Sequence, residues 1–168
     1  MAKITKYILI QILFLSCAYN VGYCLEIEGD WIPEKIDWQS PDIEGLEKIR
    51  YASLSIMQFQ KDGTFKLFQY IVYAGDNGSI NISYTEGGNI FKGIWEPDKN
   101  NEIHIKYKEI YRAIPRRRID GGKLETEFTK SYTLETTNEN LIKIKTDKEI
   151  FIKSERLTKE SKEFMAKY

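Results

Sequence analysis

His104 is the only histidine in the sequence, so any chemistry that needs an imidazole depends on this one residue. It lies between Ile103 and Ile105, and in a strand this alternation directs it away from the face that carries the isoleucines. A Ser-His-Asp triad or a zinc site requires an inward imidazole held by partners. The position favours neither, so we expect no catalytic residue, no metal and no cofactor.

Carboxylates crowd the start of the domain, where two of them could form the acid–base pair of a glycoside hydrolase. The simpler interpretation is a solvated strand face. No glycine-rich loop stands before a helix to bind phosphate. The sequence therefore predicts a protein that is not an enzyme. The carboxylates concerned are Glu26, Glu28, Asp30, Glu34 and Asp37.

Polar side chains alternate into apolar strand faces at two places. Lys130 is in phase with Phe128 and Tyr132, and Gln69 is in phase with apolar residues two positions away on either side. A buried amine or amide needs a partner, and apolar walls with a few polar groups are typical of a site for an amphipathic anion. The alternative is a β-bulge that turns Lys130 to water. The expected ligand-binding residues are Gln69, Trp95, Tyr107, Lys130 and Tyr132.

Four of the six arginines fall within seven residues. Pro115 lies among them and favours an extended backbone, so we expect the guanidinium groups to spread from one loop. Such a loop could contact an anionic component of the cell envelope, or it could be a solvated loop balanced by Asp120 and Glu125. The residues of this basic patch are Arg112, Arg116, Arg117 and Arg118.

The first 24 residues have the pattern of an export signal. Lys3 and Lys6 precede an apolar run over 7–15, which is too short to cross a bilayer. Cleavage after Cys24 would remove both cysteines, whereas a relaxed lipobox ending at Cys17 would give a lipid-anchored protein. A disulfide between the two cysteines is a third interpretation. Each predicts a protein that acts outside the cytoplasm, in the periplasm, at the cell surface or in the medium.

Composition narrows the class of protein further. The chain has 168 residues, of which 42% are hydrophobic, and it carries 25 basic and 25 acidic side chains. These values are typical of one globular domain, here 25–168, and exclude collagen, coiled coil and wholesale disorder. Loss of a signal containing Lys3 and Lys6 would leave a slightly negative chain, which argues against a nucleic-acid partner.

Short alternating runs separated by turn residues predict about nine strands, followed by a helix. The helix is indicated by a stripe made of Leu157, Phe164, Met165 and Tyr168, and we expect it to pack outside the sheet. An antiparallel series of this length must protect its edges, and closure into a barrel does so. The predicted fold is an all-β, up-and-down antiparallel barrel of eight or nine strands. The predicted strands cover 31–38, 53–59, 64–73, 80–84, 90–95, 102–114, 126–135, 141–145 and 149–153.

Several motifs, in order along 25–156, resemble those of bacterial lipocalin-like domains. Gly29-Asp30-Trp31 is similar to their Gly-x-Trp motif, and Arg156 follows the last strand as their basic residue does. The stretches 59–65, 93–95 and 141–144 also resemble that family, although its Thr-Asp-Tyr motif is absent. The resemblance implies that Trp31 closes one barrel end beneath Arg156, through a cation–π contact. It also implies a small hydrophobic or amphipathic ligand inside the barrel.

Two functions therefore remain open. The first is a carrier or sensor that binds a small molecule in the barrel. The second is an interaction module of the cell envelope whose barrel is filled by its own side chains. A cavity of several hundred Å³ that opens at one rim favours the carrier, whereas rings from Tyr73, Trp95 and Tyr107 across the interior favour the module.

Overall fold

The computed structural model describes residues 27–98, 100–114, 117–118, 127–137 and 142–168. These contain ten strands and, at the C-terminus, the helix α1 (Lys159–Ala166). The strands are β1 (Gly29–Pro33), β2 (Tyr51–Phe59), β3 (Thr64–Ala74), β4 (Ile80–Ile82), β5 (Gly88–Pro97), β6 (Glu102–Ile114), β7 (Arg117–Arg118), β8 (Glu127–Thr136), β9 (Ile142–Lys145) and β10 (Ile150–Lys153).

Eight of the strands close into one antiparallel barrel. They run in the order β1, β2, β3, β5, β6, β8, β9 and β10, and β10 pairs again with β1 through Trp31 and Lys153. Each strand is antiparallel to its neighbours in the ring. The short β4 and β7 pair outside the ring, with β3 and β6. The prediction of an all-β, up-and-down barrel with a C-terminal helix is confirmed.

The first strand is shorter than predicted. It ends at Pro33, and the chain makes one further ladder bond, from the Glu34 amide to the Ile150 carbonyl. Ile36 and Trp38 lie beyond the strand, where they pack against the outside of the barrel. The strand was predicted to reach Trp38 because Ile36 and Trp38 continue the apolar alternation. These two residues are apolar because the connector that carries them packs against the barrel.

Alternate residues of the eight strands fill the inside of the barrel, which we call the inner core. They include the inward sets predicted on 64–73, 102–107 and 126–135, apart from Ile71, Tyr73 and Lys130. The buried members are Ile27, Trp31, Met57, Phe59, Phe65, Leu67, Phe91, Trp95, Ile103, Ile105, Tyr107, Leu134, Ile144 and Phe151.

A second apolar cluster, the outer core, lies on the other face of β2, β3 and β5. It contains Ile56, Phe68 and Val72, and it is covered by β4 and α1. The helix begins after Thr158, whose side chain accepts a hydrogen bond from the Ser161 amide. The predicted helical stripe of apolar residues packs into this cluster, as expected of an amphipathic helix. Two-sided burial explains why β2 and β3 are nearly continuous apolar runs.

The two ends of the barrel differ. At one end, Trp31 and the β2–β3 and β5–β6 turns close the inner core. The other end, which we call the mouth, is formed by the end of β1, the start of β2, the end of β3, the start of β5, the end of β6 with β7, the start of β8 and the β9–β10 turn. In the described ranges, no helix has the length and apolar character needed to cross a membrane.

Candidate functional site

Aromatic rings fill the inner core from the Trp31 end. The Phe59 ring meets those of Trp31, Phe65 and Trp95, with centroids 6.5, 5.2 and 5.5 Å away. The Phe65 ring in turn contacts Tyr107 at 5.6 Å. The indole nitrogens of Trp31 and Trp95 donate to the carbonyls of Ile27 and Gln60, so neither ring offers a free donor to a ligand. This part of the barrel is packed and not hollow.

The hydroxyl groups of Tyr107 and Tyr132 hydrogen-bond to each other at the side of the inner core. Tyr132 donates a hydrogen bond to the Tyr107 hydroxyl, and burial raises the pKa of both phenols. Tyr107 also stacks on Phe128, with centroids 5.4 Å apart. The two hydroxyls predicted to anchor a ligand therefore stabilise the protein interior.

The mouth contains an open cavity of about 550 Å³. Its wall comes from three barrel strands, the β4–β5 turn and, across the opening, the β9–β10 turn. Most of its side-chain groups are polar, and Gln69 and Glu86 are exposed to solvent. The lining residues are Ser53, Leu54, Ser55, Gln69, Tyr70, Ile71, Glu86, Gly87, Gly88, Asn89 and Glu149.

The strand register brings the polar groups of this cavity together. Ser55 lies opposite Gln69, and Gln69 lies opposite Asn89, so the three side chains project from the same face. Gly88 permits this arrangement because a Cβ there would stand 2.6 Å from both the Gln69 carbonyl oxygen and the Tyr70 ring. The chain thus places a hydroxyl and two amides side by side, which can hydrogen-bond a polar molecule.

Of the described residues that line the cavity, the two charged ones are carboxylates. Glu86 accepts a hydrogen bond from the Tyr73 hydroxyl, and this bond is the main cause that raises the Tyr73 pKa. The Tyr51 ring lies beside that of Tyr73, with centroids 6.5 Å apart. Glu149 faces the opening from the opposite turn. Arg112 also stands at this end, opposite Asn89, but its guanidinium is bound to Glu109. The described charges that line the cavity therefore suit a neutral or cationic polar ligand better than an anion.

Of the five residues predicted to bind a ligand, only Gln69 lines this cavity. Trp95, Tyr107 and Tyr132 belong to the filled inner core. Lys130 keeps the predicted register opposite Ile105, but it is exposed, because β9 pairs only with the later residues Thr133–Thr136 of β8. The prediction that Lys130 lies among buried rings is therefore wrong. The sequence did not predict four further lining residues, because they come from separate turns and strands. These are Glu86, Glu149, Ser53 and Ser55.

Trp31 and Arg156 do not form the expected pair. Trp31 is fully buried in the inner core, as the closure of one end requires. Arg156 is exposed and its Nε donates to the Gly78 carbonyl at 2.8 Å, while its own carbonyl accepts from Ile80 of β4. The cation–π contact found in the described part of the chain joins Arg50 to Trp38. Arg156 thus fixes β4 to the segment before α1 instead of covering the indole.

The basic patch is only partly described, and one member is already paired. Arg112 binds both oxygens of Glu109, at 2.7 and 2.6 Å, and the carboxylate is almost completely buried. This bond raises the pKa of the Arg112 guanidinium. Arg117 and Arg118 form β7, which pairs with the end of β6. Arg116 lies outside the described residues, as do Cys17 and the predicted signal 1–24.

Two of the described carboxylates near the first strand are bound to other side chains. Asp30 accepts from Gln58 at 2.9 Å, and burial raises its pKa. Glu34, just after β1, binds Lys143 of β9 across the intervening strand β10. Asp37 is exposed, and Glu26 lies outside the described residues. Glu34 and Asp37 are thus exposed to solvent, whereas Asp30 is partly buried.

Comparisons with known proteins returned no relative: no protein-family model, no curated protein and no solved structure matches this chain. The closed antiparallel barrel with its C-terminal helix is consistent with a calycin-like fold, and the function has to be argued from the site itself.

Proposed function

We propose that this chain is an exported, non-enzymatic binding protein whose ligand occupies the barrel mouth. The ligand is a small, neutral or cationic molecule rich in hydroxyl or amino groups. The observation that carries the proposal is the polar cavity of about 550 Å³ at the open end. Its volume lies in the range of small-molecule sites, and its polar groups converge from several strands.

The inner core argues against the hydrophobic ligand that the family resemblance implies. Phe65, Trp95 and Tyr107 occupy the central space in which an apolar molecule would lie. A long hydrocarbon chain could not enter without displacing rings that contact one another at 5 to 6 Å. Of the cavities that the described residues form, the one at the mouth joins polar groups from several barrel strands, which supports it as the ligand site.

A second candidate function is an interaction module of the cell envelope. The filled inner core favours it, because a barrel without an internal cavity presents only its loops and outer wall to a partner. In that case the mouth would be a solvent-filled rim. The two functions differ in whether a small molecule binds at Gln69 and Glu86.

The proposal is tested by thermal shift of the exported protein with two panels, one of amines, polyols and monosaccharides and one of fatty acids. We expect stabilisation by members of the first panel only. Glu86→Gln should weaken that binding by about tenfold, because it removes a charged hydrogen-bond acceptor. Glu127→Gln is the matched control, since Glu127 pairs with Lys106 on the outer wall.

Three outcomes decide between the functions. Binding that is lost in Glu86→Gln and kept in Glu127→Gln supports the mouth as the site. Binding of fatty acids, with Glu86→Gln unaffected, would contradict it and restore the internal carrier. No shift with either panel, together with a bare polypeptide in native mass spectrometry of protein from its source, would support the interaction module.

A further inference from the structure

His104 has partners that its outward position did not predict. Its Nδ1 lies 2.8 Å from the Ser131 hydroxyl on the neighbouring strand β8, and its Nε2 lies 3.4 Å from an Asp98 carboxylate oxygen. The imidazole is therefore held from both sides, although it stands on the outer wall of the barrel, remote from the mouth.

Glu102 completes a cluster around the same imidazole. The Asp98 amide bonds to the Glu102 carbonyl at 2.7 Å and closes the β5–β6 turn, which places the two carboxylates across from each other. One donor atom from each of Asp98, Glu102 and His104 lies within 4.8 Å of the other two. The three residues thus converge from one turn and the first residues of β6.

We propose that Asp98, Glu102 and His104 bind a divalent transition-metal ion, with Zn²⁺ as the best fit. One imidazole and two carboxylates are ligand types that zinc accepts, and three protein ligands leave one position for water. Ligands at about 2.0–2.1 Å from a tetrahedral ion lie about 3.4 Å apart, which is the observed distance from His104 Nε2 to Asp98. The Glu102 carboxylate lies within 4.8 Å of both other ligand atoms.

Ser131 supports this assignment as the residue that orients the imidazole. When Nδ1–H donates to the Ser131 hydroxyl, Nε2 presents its lone pair towards Asp98 and Glu102. A histidine ligand held in this way by a hydrogen bond at its other nitrogen is the usual arrangement at protein metal sites. Asn100 also bonds Asp98, at 3.4 Å, and restrains the carboxylate at the turn.

A Ser-His-Asp triad would use Ser131, His104 and Asp98 and would leave Glu102 without a role. Metal binding uses both carboxylates, which gives a reason for them to stand close together beside the imidazole.

The test is a titration of the full chain with ZnCl₂, followed by NMR of the His104 imidazole. Because the chain has one histidine, the ring signals need no assignment by mutation. We expect them to shift and to saturate at one equivalent of zinc. Asp98→Asn and Glu102→Gln should each weaken binding by at least about tenfold, and Ser131→Ala by less.

Glu96→Gln is the matched control, because Glu96 is an exposed carboxylate directly opposite His104 in the ladder but outside the cluster. It should leave the zinc affinity unchanged, and circular dichroism should show the same fold in every variant. Ring signals that do not saturate, or equal losses in Glu96→Gln and Glu102→Gln, would overturn the site. Unchanged zinc affinity in His104→Gln would overturn it as well.

Discussion

Truncation of Phe65 tests whether the inner core is packed or hollow. Phe65 is fully buried, and its ring contacts those of Phe59 and Tyr107 at centroid distances of 5.2 and 5.6 Å. Phe→Ala in a packed core costs about 3–5 kcal/mol, and each aromatic contact contributes about 1 kcal/mol within that loss. We therefore expect Phe65→Ala to lower the free energy of unfolding by about 4 kcal/mol.

The assay is urea unfolding followed by tryptophan fluorescence, with the slope of the transition compared between variants. Phe65→Leu serves as the second variant if Phe65→Ala does not fold, and it should cost about 1–1.5 kcal/mol. The alanine variant should also gain affinity for a benzene-sized apolar probe that the parent protein does not bind. A loss below about 1 kcal/mol, or equal probe binding by the parent, would refute a ring-filled interior.

Three further predictions follow from single contacts. Gly93→Ala should lower the free energy of unfolding by about 3 kcal/mol, because the new Cβ would stand 1.9 Å from the Lys106 carbonyl oxygen. Gly45→Ala is the control, since Gly45 has φ +85° but open space around it, and it should cost about 1 kcal/mol. Equal urea midpoints for the two variants would contradict this. Arg112→Ala should lower the urea midpoint because buried Glu109 loses both bonds, and an unchanged midpoint would favour the interpretation of a solvated loop. Burial raises the Asp30 pKa above 3.8, so the contribution of this group to stability is present below that value and is lost as pH rises through the folded-state pKa. We therefore expect Asp30→Asn to be more stable than the parent protein at neutral pH. If the stability of the variant fell with pH as that of the parent does, this expectation would be contradicted.

The barrel could be predicted from the sequence because its strands and turns are each specified by residues that are close together in the chain. Alternation placed Phe65 and Leu67 on one strand face, and a turn with Gly63 at φ +82° separated β2 from β3. The outer core was harder to predict. Phe68 and Val72 alternate with the inward set, and only the continuous apolar character of β3 indicates that its second face is covered too.

The candidate site could not be predicted because its residues are distant in sequence and ordinary in type. Ser55, Gln69 and Asn89 meet through strand register, while Glu149 reaches the mouth from a turn 60 or more residues away. Lys130 is a case in which a local pattern gave the wrong burial. Its phase indicated an inward side chain, yet exposure depends on how far the next strand extends along β8, which no local pattern encodes.

Mapping of backbone amide shifts during titration with the ligand found in the polar panel shows where in the barrel the ligand binds. We expect the perturbed amides to cluster at 53–55, 69–71 and 86–89, with little change around Phe65 and Tyr107. Perturbations concentrated along the inward positions of β3, β6 and β8 would contradict binding at the mouth, because the ligand would then lie among the rings of the inner core.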